Sequence, residues 1–303
     1  MKNKFKIISL SLLVMALWGS LFPMIKIGYA SFNIDSASIP DILMFASMRF
    51  ILSGIVVCAF SFFRKEKLAA PKAKSILNIL VIGLVSIVLH YAFTYIGLSV
   101  TDGSKTALIK QIGSLIYVCV AFLFFKEEKF SVLKIIGAII GFLGIIAINY
   151  SGEGVSFTLG DMLIILASIC TVVSSVLVKK TAGGSSSFWI TGISQLSGGI
   201  ILFVAALIMG GNFLGFNLQS TLVFAYICFA SIVAYTLWYY ILKTSDLSNM
   251  FIIKFAEPLF ACVFGAVLLG ENIFKIQYLL AFVLISAGII LGNKSVTKNE
   301  SNN

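Results

Sequence analysis

The chain has 303 residues, of which 59% are apolar and 11% are charged, and its mean hydropathy is +1.06. Soluble domains carry about 25% charged residues, so this composition excludes a soluble globular protein and indicates a polytopic membrane protein. The formal net charge of +10 lies mainly in short linkers and tails, where basic residues report membrane orientation and do not indicate nucleic-acid binding.

Ten apolar runs follow one another along the chain, each near the roughly 20 residues that cross the hydrocarbon core of a bilayer. The first has a basic head but continues past Pro23 to Ile27 with no Ala-x-Ala site after it, so we interpret it as an uncleaved helix. Short linkers predict one compact all-α bundle. The predicted helices span 6–28, 42–63, 76–99, 103–125, 131–150, 160–178, 187–209, 218–242, 247–269 and 275–292.

The distribution of Lys and Arg predicts the orientation of these helices. With the N-terminus in the cytoplasm, sixteen of the 22 basic residues fall in cytoplasmic segments and two fall in outer loops. The other four, Lys26, Arg49, Lys110 and Lys254, fall within predicted helices. This bias is a strong positive-inside signal. It predicts a multi-pass protein of the cell membrane with both termini cytoplasmic and a polar, disordered tail at 294–303.

The second half of the chain repeats the first. A shift of 144 positions (from 110 to 254) aligns residues 110–149 with residues 254–293 without a gap. The same shift places Tyr91 on Tyr235. A repeat of this length indicates two copies of one structural unit.

Each repeat unit contains five predicted helices. Because five is odd, the second unit enters the membrane from the opposite side. The sequence therefore predicts a 5+5 inverted-topology repeat with units 1–150 and 158–293, an architecture that many secondary transporters share.

Short motifs in this order carry a family resemblance. They are Trp18-Gly19-Ser20 with Pro23 and Lys26 in the first predicted helix, Glu257-Pro258 in the ninth, and the Gly270-Glu271 hinge before the tenth with its Gly288. The chain resembles the EamA-domain branch of the drug/metabolite transporter superfamily over nearly its whole length. Ser114 stands where the first half of that family often has a proline. The resemblance implies a secondary carrier, often an exporter, for small metabolites such as amino acids.

Three cationic residues inside predicted helices, Arg49, Lys110 and Lys254, are candidates for substrate binding. A charge there costs about 2.5–3.5 kcal/mol on insertion scales and indicates a function by default. Lys110 and Lys254 are repeat-related and straddle the midplane, where inverted repeats place substrates. With Arg49 they outnumber Glu257, which favours a substrate with a carboxylate or phosphate group. The structural alternatives are a self-neutralised Lys254–Glu257 pair, Arg49 bound to helix-end carbonyls, and Lys110 reaching the outer surface.

Glu257 is also the candidate carrier of a coupling proton, since carboxyl groups in transporter interiors relay protons. His90, the single histidine, is a second candidate, with a hydrogen-bonded packing role as its alternative. A repeated aromatic set suits either packing or a cavity wall for an apolar or aromatic part of the substrate. This set is Tyr91, Tyr95, Tyr235, Trp238 and Tyr239.

Two further patterns predict structure. Gly137, Gly141 and Gly144 recur at spacings of four and three, which predicts close helix contact, with the face of a weak homodimer as the alternative to a monomer. Glu127 and Glu271 precede the fifth and tenth predicted helices and are interpreted as N-terminal caps.

The remaining question is the class of function. A membrane enzyme needs an exposed acid, base or metal cluster, and one histidine with 12 acidic residues in no metal-binding spacing supplies none, so we expect no catalytic residue, metal or cofactor. A channel needs repeated pore-loop or charge rings. The sequence therefore predicts a secondary-active transporter that moves a small organic metabolite, an amino acid or other anionic compound, outward by alternating access. An integral-membrane enzyme, an uptake permease and a drug exporter remain alternatives.

Overall fold

A computed structural model describes residues 2–64, 71–98, 109–125, 128, 130–149, 158–182, 184–270 and 276–300. These residues are helical or irregular and form no β-strand. The helices are α1 (Lys2–Ser31), α2 (Ile39–Phe63), α3 (Ala73–Gly83), α4 (His90–Leu98), α5 (Ile112–Phe124), α6 (Val132–Asn149), α7 (Leu159–Thr181), α8 (Ser187–Ile208), α9 (Leu218–Thr244), α10 (Leu247–Ile253), α11 (Ala256–Leu269) and α12 (Ile276–Glu300). A π-helical segment, Leu84–Leu89, joins α3 to α4.

Within the described residues, seven stretches are long and apolar enough to cross a membrane. They are α1, α2, α3 with the π segment and α4, α7, α8, α9, and α10 with α11. With α5 and the shorter apolar stretches of α6 (Val132–Ala147) and α12 (Leu279–Gly292), the apolar segments in the described residues number ten, in agreement with the ten predicted runs. Large apolar side chains point outward from them, including Phe63, Ile208 and Leu218, which are at least 80% exposed. A surface of this kind fits a lipid environment.

The ninth predicted helix is present as one apolar stretch, Leu247–Leu269, but it is broken within that stretch. A turn at Lys254 and Phe255 separates α10 from α11. Pro258 explains the break, because it has no N–H to donate to the carbonyl of Lys254 four residues earlier. That carbonyl accepts the N–H of Glu257 instead, at 3.0 Å, which tightens the backbone there. Lys254 therefore lies at a helix break and not inside a helix.

The fourth predicted helix is interrupted at the equivalent place, although Ser114 stands where the second half has a proline. Lys110 lies in a turn that precedes α5. The hydroxyl of Ser168 on α7 donates to the carbonyl of Lys110 and accepts the N–H of Gly113, each at 2.8 Å. A side chain inserted into the hydrogen-bond ladder of a helix interrupts it. Lys110, expected seven residues into a helix, thus also lies at a break.

Two helix crossings bring backbones into close contact. A Cβ atom added to Gly54 of α2 would lie 2.5 Å from the nitrogen of Leu196, and one added to Gly199 of α8 would lie 2.7 Å from the nitrogen of Ile51. In the same way, α6 and α12 meet at glycines. This contact confirms the close approach predicted from Gly137, Gly141 and Gly144, which pack against α12.

The first helix of each half packs against two helices of the other half. α1 contacts α9 and α11 of the second half, and α7 contacts α4 and α5 of the first half. At the C-terminus, α12 continues through Lys294 to Glu300, into the segment interpreted from the sequence as a tail. Glu127 and Glu271, interpreted as caps, lie outside the described residues.

Candidate functional site

Arg49 lies on α2 in the middle of the bundle, and its side chain is 1% exposed. Its Cζ atom lies 4.2 Å from the ring centroid of Phe50 and 5.2 Å from that of Tyr91. These cation–π contacts stabilise the charge by about 0.5–2 kcal/mol each. Among the described residues, Nε and Nη2 of Arg49 have no hydrogen-bond partner. A buried donor without a partner costs about 1–3 kcal/mol, and more on a charged group.

Three tyrosines surround this guanidinium. Tyr91 makes a cation–π contact with Arg49, and Tyr95 and Tyr235 pack against Tyr91. The hydroxyls of Tyr91 and Tyr235 lie 3.3 Å apart, and the ring of Tyr95 lies 5.7 Å from that of Tyr91. The ring of Phe50 lies 4.8 Å from Tyr91 and 6.2 Å from Tyr235. The result is an aromatic wall with polar tips around one buried cation.

Lys254 and Glu257 form a buried ion pair across the break between α10 and α11. Their side chains are 8% and 6% exposed, respectively. The Nζ atom of Lys254 also lies 5.1 Å from the ring centroid of Trp18 on α1. Because the break holds the ammonium close to the carboxylate, the charge of Lys254 is largely neutralised.

Lys110 has a different environment at the equivalent break. Its Nζ atom lies 5.7 Å from the ring of Phe22, and no carboxylate among the described residues forms an ion pair with it. Glu257 and Lys254 are close enough for their charges to interact with the ammonium group of Lys110. The two breaks therefore place both lysines and the carboxylate within electrostatic reach of one another.

The single histidine is held against α7. The Nδ1 atom of His90 lies 2.9 Å from the carbonyl oxygen of Ala167 and 3.2 Å from the hydroxyl of Thr171. Because a carbonyl only accepts, Nδ1 carries the proton in this contact. His90 follows the π-helical segment, whose wider turn interrupts α3 and α4. Such segments occur often at functional sites.

Trp238 and Tyr239, the other two residues of the predicted aromatic set, lie beside the tyrosines that surround Arg49. Trp238 packs 5.3 Å from Trp18, and the hydroxyl of Tyr239 lies 3.2 Å from that of Ser86. Trp18 also lies 5.7 Å from Tyr235, which places it between the aromatic wall and Lys254. Trp18 and Phe50 belong to this site although neither is among the site residues predicted from the sequence. Trp18 had a signal in its motif, whereas Phe50 had only its position next to Arg49.

A second group of buried charges lies at the end of the bundle where α9 meets α10. None of its residues was predicted as a site residue from the sequence. Its centre is Glu128, 2% exposed, in the linker between α5 and α6. One carboxylate oxygen accepts the N–H of Leu247 at 2.6 Å, and the other accepts the N–H and hydroxyl of Ser248. The ammonium groups of Lys134 and Lys179 lie 3.9 and 3.8 Å from it. We call these five residues the Glu128 cluster.

The sequence profile described as the EamA-like transporter family matches residues 5–150 and 158–293. A protein of Escherichia coli named "Uncharacterized inner membrane transporter YedA" is 27% identical over 287 residues, which cover 91% of this chain and 87% of that protein. An "Uncharacterized transporter" of Archaeoglobus fulgidus is 27% identical over 266 residues, covering 86% and 88%. One solved crystal structure, 16% identical, superposes with a TM-score of 0.80 over 97% of this chain and 99% of that one, which shows a shared fold.

Proposed function

This chain belongs to the EamA-like transporter family and is an integral protein of the cell membrane, and from that premise we propose that it is a secondary-active carrier of a small organic anion. The proposed substrate is an amino acid or another carboxylate or anionic metabolite. Export is the proposed direction, and both termini are cytoplasmic, as the positive-inside bias favours.

The observation that carries the proposal is the excess of cations among the buried charges at the centre of the bundle. Lys254 has Glu257 as its counter-ion, but Arg49 and Lys110 have no ion pair within the described residues. An uncompensated charge in a desolvated site is strongly unfavourable. Intramembrane charges of this kind mark substrate or ion pathways. An anionic substrate supplies the missing charge.

The proposal includes a 5+5 inverted repeat with units 1–150 and 158–293. Two contacts between the halves support it, one between residues related by the repeat and one that is reciprocal between two helices. Tyr91 and Tyr235, equivalent by the 144-residue shift, share a hydrogen bond. The contacts at Gly54 and Gly199 are reciprocal between α2 and α8. Equivalent residues meet in this way near an axis that relates two units, where inverted-repeat carriers bind substrates.

Alternating access requires each end of the bundle to open in turn. With the proposed orientation, the Glu128 cluster lies on the cytoplasmic side and joins the α5–α6 linker to α10 and α7. We expect these contacts to part when that side opens. The conformation described here therefore corresponds to a carrier closed towards the cytoplasm.

Coupling to protons is assigned to Glu257, the carboxylate nearest the lysine pair. In Glu257→Gln, we expect substrate exchange to persist and proton-driven accumulation to be lost, since the amide binds no additional proton. Transport into proteoliposomes with and without an imposed pH gradient measures this. The matched control is Asp35→Asn, which changes an exposed carboxylate in the α1–α2 linker. Accumulation by Glu257→Gln at the wild-type level would remove Glu257 from the coupling step.

The function is tested by flux in proteoliposomes. Amino acids, monocarboxylates and phosphorylated compounds are loaded one at a time, with a sugar and an organic amine as controls. We expect saturable efflux of an anionic compound that accelerates when the same compound is present on the other side. A channel gives no such acceleration. Saturable flux confined to the amine or the sugar would contradict an anionic substrate, and flux that never saturates would contradict a carrier.

The proposed topology is tested by labelling single cysteines in a cysteine-free background. We expect a cysteine at Asn212 to react with an impermeant reagent from outside and one at Thr181 to react only after permeabilisation. Labelling of both positions from the same side would exclude the inverted arrangement of the two halves.

A further inference from the structure

The guanidinium of Arg49 offers a defined unpaired edge. Nε and Nη2, the two nitrogens without partners among the described residues, lie along one edge of the planar guanidinium. Their N–H bonds run parallel and form a fork that donates to both oxygens of a carboxylate at once. The side chain is completely buried, so water does not freely satisfy this edge.

We propose that this edge binds a carboxylate of the substrate side-on, so that Arg49 is the anchor of the anion and the lysine pair is not. The inference rests on the proposed function and narrows its substrate class to monocarboxylates with an apolar or aromatic body. Lys254 is less suited to anchor an anion, because Glu257 already neutralises it. Lys110 contributes a point charge at a distance, whereas Arg49 contributes a directed pair of bonds.

The surroundings of Arg49 favour one negative charge. The ring centroid of Tyr91 lies 5.2 Å from the Cζ atom of Arg49, and the hydroxyl of Tyr91 lies 3.3 Å from that of Tyr235. The edge of one guanidinium carries a single positive charge and two parallel donors, which match the single charge and the two oxygens of one carboxylate. The rings of Phe50 and Tyr91 beside the guanidinium provide apolar contact for the remainder of the substrate.

Residues from both halves of the chain lie beside the guanidinium of Arg49. Tyr91 of one half and Tyr235 of the other are joined by a 3.3 Å hydrogen bond beside Arg49. Because Arg49 is 1% exposed, a carboxylate reaches its edge only when this contact parts. Opening of the halves and exposure of the anchor are then one event.

The chain has two arginines, Arg49 and Arg64, which gives the test an internal control. Arg64 is exposed at the end of α2, with its Cζ atom 5.9 Å from the ring of Phe60. The purified wild-type protein is treated with phenylglyoxal, an arginine-selective reagent, and the modification of each site is followed by mass spectrometry. The probes are benzoate, its neutral amide benzamide, and phenylphosphonate.

We expect Arg64 to react quickly in all conditions and Arg49 to react slowly. Benzoate should slow the reaction of Arg49 at least about tenfold, which corresponds to about 1.4 kcal/mol, with weaker slowing by phenylphosphonate and none by benzamide. Arg49 that stays unmodified without a probe after Arg64 is fully modified would overturn the inference, because the anchor then never opens. Equal slowing by benzoate and benzamide, or equal slowing at Arg64, would also overturn it.

A second measurement separates this inference from the proposed function. Arg49→Lys keeps the charge and removes the fork, and Arg64→Lys is its matched control on the same helix. We expect the KM for the carboxylate found in the flux assay to rise at least about tenfold in Arg49→Lys and to stay unchanged in Arg64→Lys. An unchanged KM in Arg49→Lys, with carboxylate flux intact, would contradict the role of Arg49 as the anchor and would still agree with the proposed function. Absence of carboxylate flux in wild type would contradict both the anchor and the proposed function.

Discussion

The two groups of buried charges in this protein differ in how completely they are satisfied. In the Glu128 cluster, the carboxylate accepts hydrogen bonds from Leu247 and Ser248 and lies within 4 Å of two ammonium groups. At the centre of the bundle, Arg49 has two N–H groups without partners in the described structure. Both groups are buried, so burial alone does not distinguish them.

The difference indicates what each group does. A satisfied network stabilises one arrangement of the helices that it joins. An unsatisfied charge costs stability in the same arrangement, and it persists in proteins mainly where a ligand or a mechanism uses it. We therefore interpret the Glu128 cluster as holding one conformation and the centre as binding. Changes in the first should act on stability, and changes in the second should act on substrate affinity.

The largest effect is expected for Glu128→Ala. Removing the carboxylate leaves the backbone N–H groups of Leu247 and Ser248 without their acceptor and takes a buried counter-charge from Lys134 and Lys179, and breaking a buried ion pair typically costs about 3–5 kcal/mol. Thermal unfolding in detergent should therefore occur at a clearly lower temperature than in wild type. Lys74→Ala, which changes an exposed charge on α3, is the control. An unfolding temperature equal to that of the control would show that the cluster does not hold the helices together.

The next effect is expected at the two repeat-related lysines, which the structure makes unequal. In Lys110→Gln, a cation with no ion pair among the described residues is lost, so substrate affinity should fall about tenfold while stability changes little. In Lys254→Gln, affinity should fall less, but Glu257 loses its counter-ion and the unfolding temperature should drop. Equilibrium binding and thermal unfolding of both variants test this. Wild-type affinity in both would make the lysines structural.

The smallest effect is expected for Ser168→Ala, which tests how the break at Lys110 is maintained. The substitution removes one donor and one acceptor, worth about 1 kcal/mol each. We expect a small loss of stability and a lower substrate affinity, because Lys110 is no longer fixed. Ser175→Ala, whose hydroxyl bonds within α7, is the control. A loss of affinity as large in the control would show that α7 tolerates neither change and that the break has no special role.

The sequence by itself determined the class of this protein and most of its helices. Length, hydropathy and charge are local properties, and a backbone in lipid must satisfy its own hydrogen bonds, so each long apolar run becomes a helix. The alignment of Lys110 with Lys254 and of Tyr91 with Tyr235 was likewise readable from the chain, as was the glycine contact of α6. The predicted pairing of Lys254 with Glu257 required only their spacing.

Only the tertiary structure decided which of these residues have partners. The break at Lys110 depends on Ser168, 58 residues away, and the Glu128 cluster depends on α10, about 120 residues away. Such contacts leave no periodic pattern in the sequence, since they arise from the packing of helices that are distant along the chain. For the same reason, the sequence placed Arg49 inside a helix but did not reveal that its Nε and Nη2 edge faces no acceptor in the described structure.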